Sequence, residues 1–275
     1  DFADRYFPAE SNEVAIANPE IEAGHAAQMA GVWRVSRGAR SNFFGALGLM
    51  GQTKISVGAD GELLIPSLKG LNGKPKKWVE VEPYLWHEVG GHDRLAAVVE
   101  DGKVVRWSMD GVSPFMVFDR APAAISSAWL LPAVQISLAA IALTFLFWPI
   151  GALARRRYKV PLAVQGTARK AYRLSRLFCG LILAVLIGWV LVITIMVKDY
   201  SKMSDSMNPA LWTIQIAGLL VFVAGLLVML WNAKITWGES RCWLAKLWSV
   251  VLVLSAAVVL WTAFAYKLIA MTVDF

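Results

Sequence analysis

Four apolar stretches, Ala128 to Ala154, Leu177 to Val197, Pro209 to Trp231 and Leu247 to Tyr266, decide most of what this chain can become. Each is long enough to cross ~30 Å of hydrocarbon at ~1.5 Å per helical residue, and none holds a charge in its interior. In the second, Leu, Ile, Val and Phe dominate; at roughly −0.3 to −0.6 kcal/mol each on an insertion scale they outweigh its few polar groups. A soluble four-helix bundle needs a polar stripe on every helix, and these stretches are apolar all round. The pattern predicts four transmembrane helices, with the lipid bilayer as their partner.

The whole-chain composition, 57% hydrophobic and 17% charged, hides a division. Asp1 to Arg120 mixes charges, glycines and short apolar runs as a water-exposed domain does. The net charge of +7 has a local origin. Eight of the 27 basic residues, Arg155, Arg156, Arg157, Lys159, Arg169, Lys170, Arg173 and Arg176, separate the first two stretches with no acidic residue among them. That excess marks a cytoplasmic segment and, with no recognised binding module, speaks against nucleic acid as a partner. Lys234, Arg241 and Lys246 outnumber Glu239 between the third and fourth stretches, so that connection is cytoplasmic too. Lys198 and Lys202 are balanced by Asp199 and Asp205, as in an outer loop. Trp129, Trp148, Trp212, Trp231, Trp243 and Trp261 fall near span ends, where amphipathic rings favour the headgroup region.

Both termini, Asp1 and Phe275, are therefore expected on the periplasmic side of a bacterial inner membrane. An outer N-terminal domain must be exported. The sequence begins at Asp1 without an initiator Met, a basic segment or an apolar signal region, so a longer precursor is expected.

Gly180, Ala184 and Gly188 recur every four residues in the second span, and Ala217, Gly218, Ala224 and Gly225 repeat at seven in the third. Such faces let helix backbones approach closely, so they are expected to pack within the bundle, with a partner membrane subunit as the alternative. The absence of charge inside the spans argues against an ion or proton path.

Residues 26–120 read as a small antiparallel β domain, barrel or curved sheet, so the fold class is α+β: a β domain, then a four-helix membrane bundle. The expected strands are Val32 to Ser36, Thr53 to Val57, Glu62 to Ile65, Trp78 to Val81, Tyr84 to Glu88, Leu95 to Val99, Val104 to Ser108 and Phe115 to Phe118. Asp60-Gly61, Asn72-Gly73 and Asp101-Gly102 supply the positive φ angles of tight hairpins. Asn42 to Gly51 is apolar and Gly-rich, either a short helix plugging the barrel or a loop on the membrane. Residues 1–25 are assigned to a tail and linker.

Candidate chemistry is sparse. His87, Glu88, His92 and Asp93 in WHEVGGHD have metal-ligand side chains, but a zinc protease needs two His one helical turn apart, and here they lie five apart around Gly90-Gly91. A polar hairpin turn is the favoured reading. Trp33, Trp78, Trp86 and Trp107 serve either as domain core or as the lining of a ligand pocket, the core being favoured. Lys69, Lys74, Lys76 and Lys77 surround a turn, solvated or touching anionic headgroups. Cys179 and Cys242, at the edges of apolar stretches, are assigned to packing. No catalytic residue, metal ligand or cofactor site is assigned.

The runs FADRYFP, GVWRVSRGARSNF, MGQTKISV, WVEVEPYLWHEVGGHDRLAAVVEDG and SPFMVFDR resemble the C-terminal region of membrane-anchored serine hydrolases of the class C β-lactamase and penicillin-binding-protein-like superfamily. The resemblance spans Phe2 to Arg120 plus the multi-span anchor. It implies a lipocalin-like β domain preceded by a periplasmic hydrolase domain whose nucleophile is the Ser of Ser-x-x-Lys, aided by Tyr-x-Asn and a Lys- or His-x-Gly element. This sequence has neither of the first two, and Gly90 stands at the wrong distance from His87. The resemblance thus implies an anchor and accessory domain whose partner is a hydrolase domain outside this sequence, Phe2 to Pro8 being that domain's tail. A noncatalytic subunit of a larger inner-membrane complex is the alternative.

Overall fold

A computed structural model describes residues 19–112, 115–162 and 164–273, and divides the chain into a β unit and a helical unit. The β unit ends at Ala123 and omits Ala39–Met50, which group with the helices. Phe2 to Pro8, Asp1 and Phe275 lie outside the described residues.

The β unit is an antiparallel sheet of eight strands: β1 (Gly31–Val35), β2 (Thr53–Val57), β3 (Leu63–Leu64), β4 (Trp78–Glu82), β5 (Leu85–Glu88), β6 (Arg94–Glu100), β7 (Lys103–Met109) and β8 (Phe118–Arg120). Their spatial order is β3-β2-β1-β8-β7-β6-β5-β4. The sheet curls until its edge strands β3 and β4 approach each other, giving a nearly closed barrel. Period-two alternation builds its core: Trp33, Ile55, Trp78, Trp86, Leu95, Trp107 and Phe118 are buried, while neighbours such as Lys54 and Ala96 are exposed. At the β6–β7 turn both Asp101 (φ 50°) and Gly102 (φ 72°) are left-handed, the type I′ geometry that follows the twist of the flanking strands.

Two local expectations are corrected. The last strand starts at Phe118, not Phe115, because Phe118 stacks on Trp107 at 4.0 Å while Phe115 is exposed beneath the Arg37 guanidinium. From Pro19 onward the expected linker is a helix, α1 (Pro19–Met29), whose Ala26 and Met29 are buried in the barrel core. Arg120 holds the C-terminal end of α1, donating to the Gln28 and Ala30 carbonyls and lying 4.5 Å over the Trp33 ring. A Cβ on Gly31 would come within 2.9 Å of that guanidinium, and its φ of 141° also favours glycine.

The helical unit contains α2 (Ser127–Tyr158), α3 (Gly166–Lys198), α4 (Asn208–Gly238) and α5 (Trp243–Ala265). Each packs on its sequence neighbours and α2 also packs on α5, closing an antiparallel ring. The helices run past the apolar spans. Arg169, Lys170, Arg173 and Arg176 belong to the first turns of α3, where Ala168, Ala171 and Ser175 bury at helical spacing, so the connection itself is short. In α4 the buried row is Leu211, Gln215, Gly218, Phe222, Gly225, Met229, Asn232 and Thr236. At most 33% of any span's apolar window is buried within the chain, and residues such as Leu220, Leu227 and Val190 face outward. Water would not tolerate that much apolar surface; hydrocarbon does, and the protein is a membrane protein.

Asn42 to Gly51 does not plug the barrel. It forms a 3-10 turn (Phe43–Ala46) and one helical turn (Leu47–Met50) within the helical unit, with Phe43 buried 5.2 Å from the Trp189 ring and Leu49 against Leu130 and Tyr266. Its apolar side chains find their partners on helices, which sequence spacing alone does not disclose.

Candidate functional site

A concavity of the β unit lies at the seam where the barrel is not closed by hydrogen bonds. It is a cleft of about 1150 Å³ between β3, the 65–77 connection, the start of β4 and the β5–β6 turn. The connection folds on itself: Gly70 N–H donates to the Lys74 carbonyl, Asn72 Oδ1 accepts from Lys74 N–H, and Gly73 takes a φ of 73°. Lys76 N–H bonds the Leu68 carbonyl and Val89 N–H bonds the Lys77 carbonyl, fixing the loop against the β5–β6 turn.

Lys76 is the electrostatic centre of this wall. Its Nζ lies 2.5 Å from Asp93 Oδ2 and 2.8 Å from Glu88 Oε2. Asp93, then Glu88, hydrogen-bond the ammonium and raise its pKa above the ordinary lysine value. A raised folded-state pKa contributes stability that is complete below the unfolded value and is lost as pH rises through the folded one, so this contribution fades only in strong alkali. Lys69, Lys74 and Lys77 have no ion pair among the described residues and line the cleft together with Asp60 and Glu62.

The structure separates the WHEVGGHD cluster. Glu88 and Asp93 converge on Lys76, whose ammonium takes the place a metal would need; exposed His92 lines the cleft, and His87 follows inward Trp86 on β5 and so faces away from the core. Trp33, Trp78, Trp86 and Trp107 are all core, at most 1% exposed, and Trp78 also lines the cleft. Trp33 Nε1 donates to the Met29 carbonyl at 2.9 Å, whereas the indole N–H groups of Trp78, Trp86 and Trp107 have no acceptor among the described residues.

A second polar cluster escaped the sequence reading. Glu80, buried on the inner face of β4, has Oε1 2.7 Å from His25 Nδ1 and accepts from Tyr84 N–H at 2.6 Å. Its own N–H donates to Glu22 Oε1 at 3.2 Å, and the His25 and Tyr84 rings lie 4.0 Å apart. His25 and Glu80 stand 55 positions apart in sequence. The available signal was Glu80 itself, an acid at an inward position of the alternating run Trp78-Val79-Glu80-Val81.

In the bundle, a Cβ on Gly180 would meet the Phe145 ring of α2 at 2.5 Å, and one on Gly188 would meet Ile214 of α4 at 2.7 Å. Ala184 is exposed, so the row is not one continuous contact: Gly180 meets α2 and Gly188 meets α4. Gly218 and Gly225 are buried in α4 against Val185 and Ile182 of α3. Cys179 is buried and Cys242 exposed.

No family model, curated protein or solved structure matches this chain.

Proposed function

We propose that this chain is the membrane anchor and accessory β domain of an envelope serine hydrolase, held in a bacterial inner membrane with both termini periplasmic. One observation carries the reading. The β unit presents a formed cleft at the barrel seam, its wall held by Lys76 bridging Glu88 and Asp93, with Lys69, Lys74, Lys77 and exposed His92 turned to whatever occupies it. Such a module offers a shaped surface to another domain. The similarity of its sequence runs to hydrolase C-terminal regions supplies the kind of domain.

Treating the protein expressed from its own locus with a fluorophosphonate or β-lactam probe tests this. The expected product is one polypeptide longer by ~300 residues, about two domains' worth, labelled on a serine outside the present sequence. An unlabelled native polypeptide of 275 residues would favour an accessory subunit instead, and a labelled serine within this sequence would make the chain itself catalytic. Either result sinks the proposal.

The orientation has its own check. Exposed Cys242 sits in the connection assigned to the cytoplasm, so a membrane-impermeant maleimide should modify it only after permeabilisation. A cysteine placed at exposed Thr167 in a Cys242→Ser background should behave alike. Labelling of either from outside intact spheroplasts reverses the topology.

A further inference from the structure

A groove of about 680 Å³ lies between the C-terminal end of α2 and the N-terminal end of α3, within the helical unit. Its lining is of two kinds. Trp148, Leu174 and Leu177 are apolar and belong to the membrane-facing helix ends; Arg155, Arg169 and Arg173 are basic and lie where each helix passes from apolar to charged sequence. Arg169, Arg173 and Leu177 follow one another at four-residue spacing and so share one side of α3. Arg155 folds back along α2: its Nη1 lies 3.3 Å from the place a Cβ on Gly151 would occupy. Arg155 is half-buried and Arg169 and Arg173 are exposed; Arg156 and Arg157, also exposed, lie outside the groove.

None of these three arginines has an ion pair or side-chain hydrogen bond among the described residues. Three like charges meeting in one groove repel each other, and orientation in the membrane requires only that they be on one side, not that they converge. Convergence is explained by an anion. Guanidinium groups match phosphate oxygens in charge and in bidentate geometry, and the apolar lining beside them suits a hydrocarbon chain. We propose that this groove binds the headgroup of one acidic phospholipid, its phosphate on Arg155, Arg169 and Arg173 and an acyl chain along Trp148, Leu174 and Leu177. The assignment is independent of the hydrolase reading, since it uses only the helical unit.

Native mass spectrometry of the full chain in detergent, titrated with phosphatidylglycerol or phosphatidylcholine, tests it. The wild type should retain phosphatidylglycerol and not phosphatidylcholine. At ~1 kcal/mol per basic residue near the headgroup, R169Q/R173Q should weaken retention roughly tenfold or more, while R156Q/R157Q, which removes the same charge outside the groove, should stay within about twofold. R169K/R173K, which keeps the charge and loses the bidentate fork, should bind more tightly than R169Q/R173Q and more weakly than the wild type, showing that the loss is of charge at the site and not of fold. Equal loss in the two glutamine variants would mean diffuse attraction and overturn the site. Equal retention of phosphatidylcholine, or full competition by glycerol phosphate lacking acyl chains, would overturn it as well.

Discussion

Trp107→Ala is expected to lower the unfolding free energy of the β domain by about 3–5 kcal/mol, the cost of deleting a fully buried indole from a packed core. Domains of this size hold only ~5–15 kcal/mol, so the variant would populate unfolded protein readily. Trp107 sits on β7, where its ring stacks parallel on Phe118 of β8, and β8 in turn pairs with β1 to carry the sheet around. Removing the ring therefore weakens the strand pair that joins both halves of the barrel. Trp107→Phe separates packing from polarity. It keeps an aromatic face against Phe118 and deletes an N–H that has no acceptor among the described residues, whose burial costs ~1–3 kcal/mol. The smaller ring leaves some space, and the two effects oppose each other, so a net loss below ~1.5 kcal/mol is expected. Urea titration followed by tryptophan emission reads both. If the alanine variant lost less than ~1 kcal/mol, the stacked pair would not be part of a close-packed core.

The large features of this fold are legible because each rests on a local signal. Four spans announce themselves by length and freedom from charge, and the β domain by short runs of alternating residues with Asp-Gly and Asn-Gly turns between them. Seven strands fall within one residue of the expected bounds at both ends, since the inward positions, such as Thr53 and Ile55 or Trp78 and Glu80, fix the register. Other features depend on partners distant in sequence. Nothing near Phe43 says that it will bury beside Trp189, and the basic residues before Leu177 look like a loop until Ala168, Ala171 and Ser175 are seen to pack. Gly180 and Gly188 share a row in projection, yet one meets α2 and the other α4, because a long helix inside a ring touches different neighbours on different flanks. The charge excess between the first two spans was visible as an orientation signal; that three of its arginines converge on one groove was not.

Glu80→Ala is expected to cost the β domain about 3 kcal/mol and to loosen α1 from the barrel. The carboxylate joins three pieces of chain: it lies on β4, meets His25 of α1 at 2.7 Å, and accepts from the Tyr84 N–H of the β4–β5 turn at 2.6 Å. That turn needs a fixed partner, since Tyr84 holds a φ of 62°, a conformation non-glycine residues adopt at a cost of ~1–3 kcal/mol. Losing the carboxylate strands the His25 ring nitrogen and the Tyr84 N–H in a partly buried place, and each unsatisfied polar group costs ~1–3 kcal/mol when burial is complete. His25 retains 17% side-chain exposure, which sets the expected value toward the low end. Glu80→Gln keeps an oxygen that can accept from Tyr84 N–H and from an Nδ1–H of His25, so it should cost only ~1 kcal/mol, the difference between a hydrogen bond to a carboxylate and one to an amide. Hydrogen exchange locates the effect. In the alanine variant, amides of Pro19–Met29 should lose protection before those of the β6–β7 hairpin, whose long strands are paired with each other along six positions. Unchanged protection in α1 would show that Arg120, which grips the Gln28 and Ala30 carbonyls, holds the helix without help from Glu80.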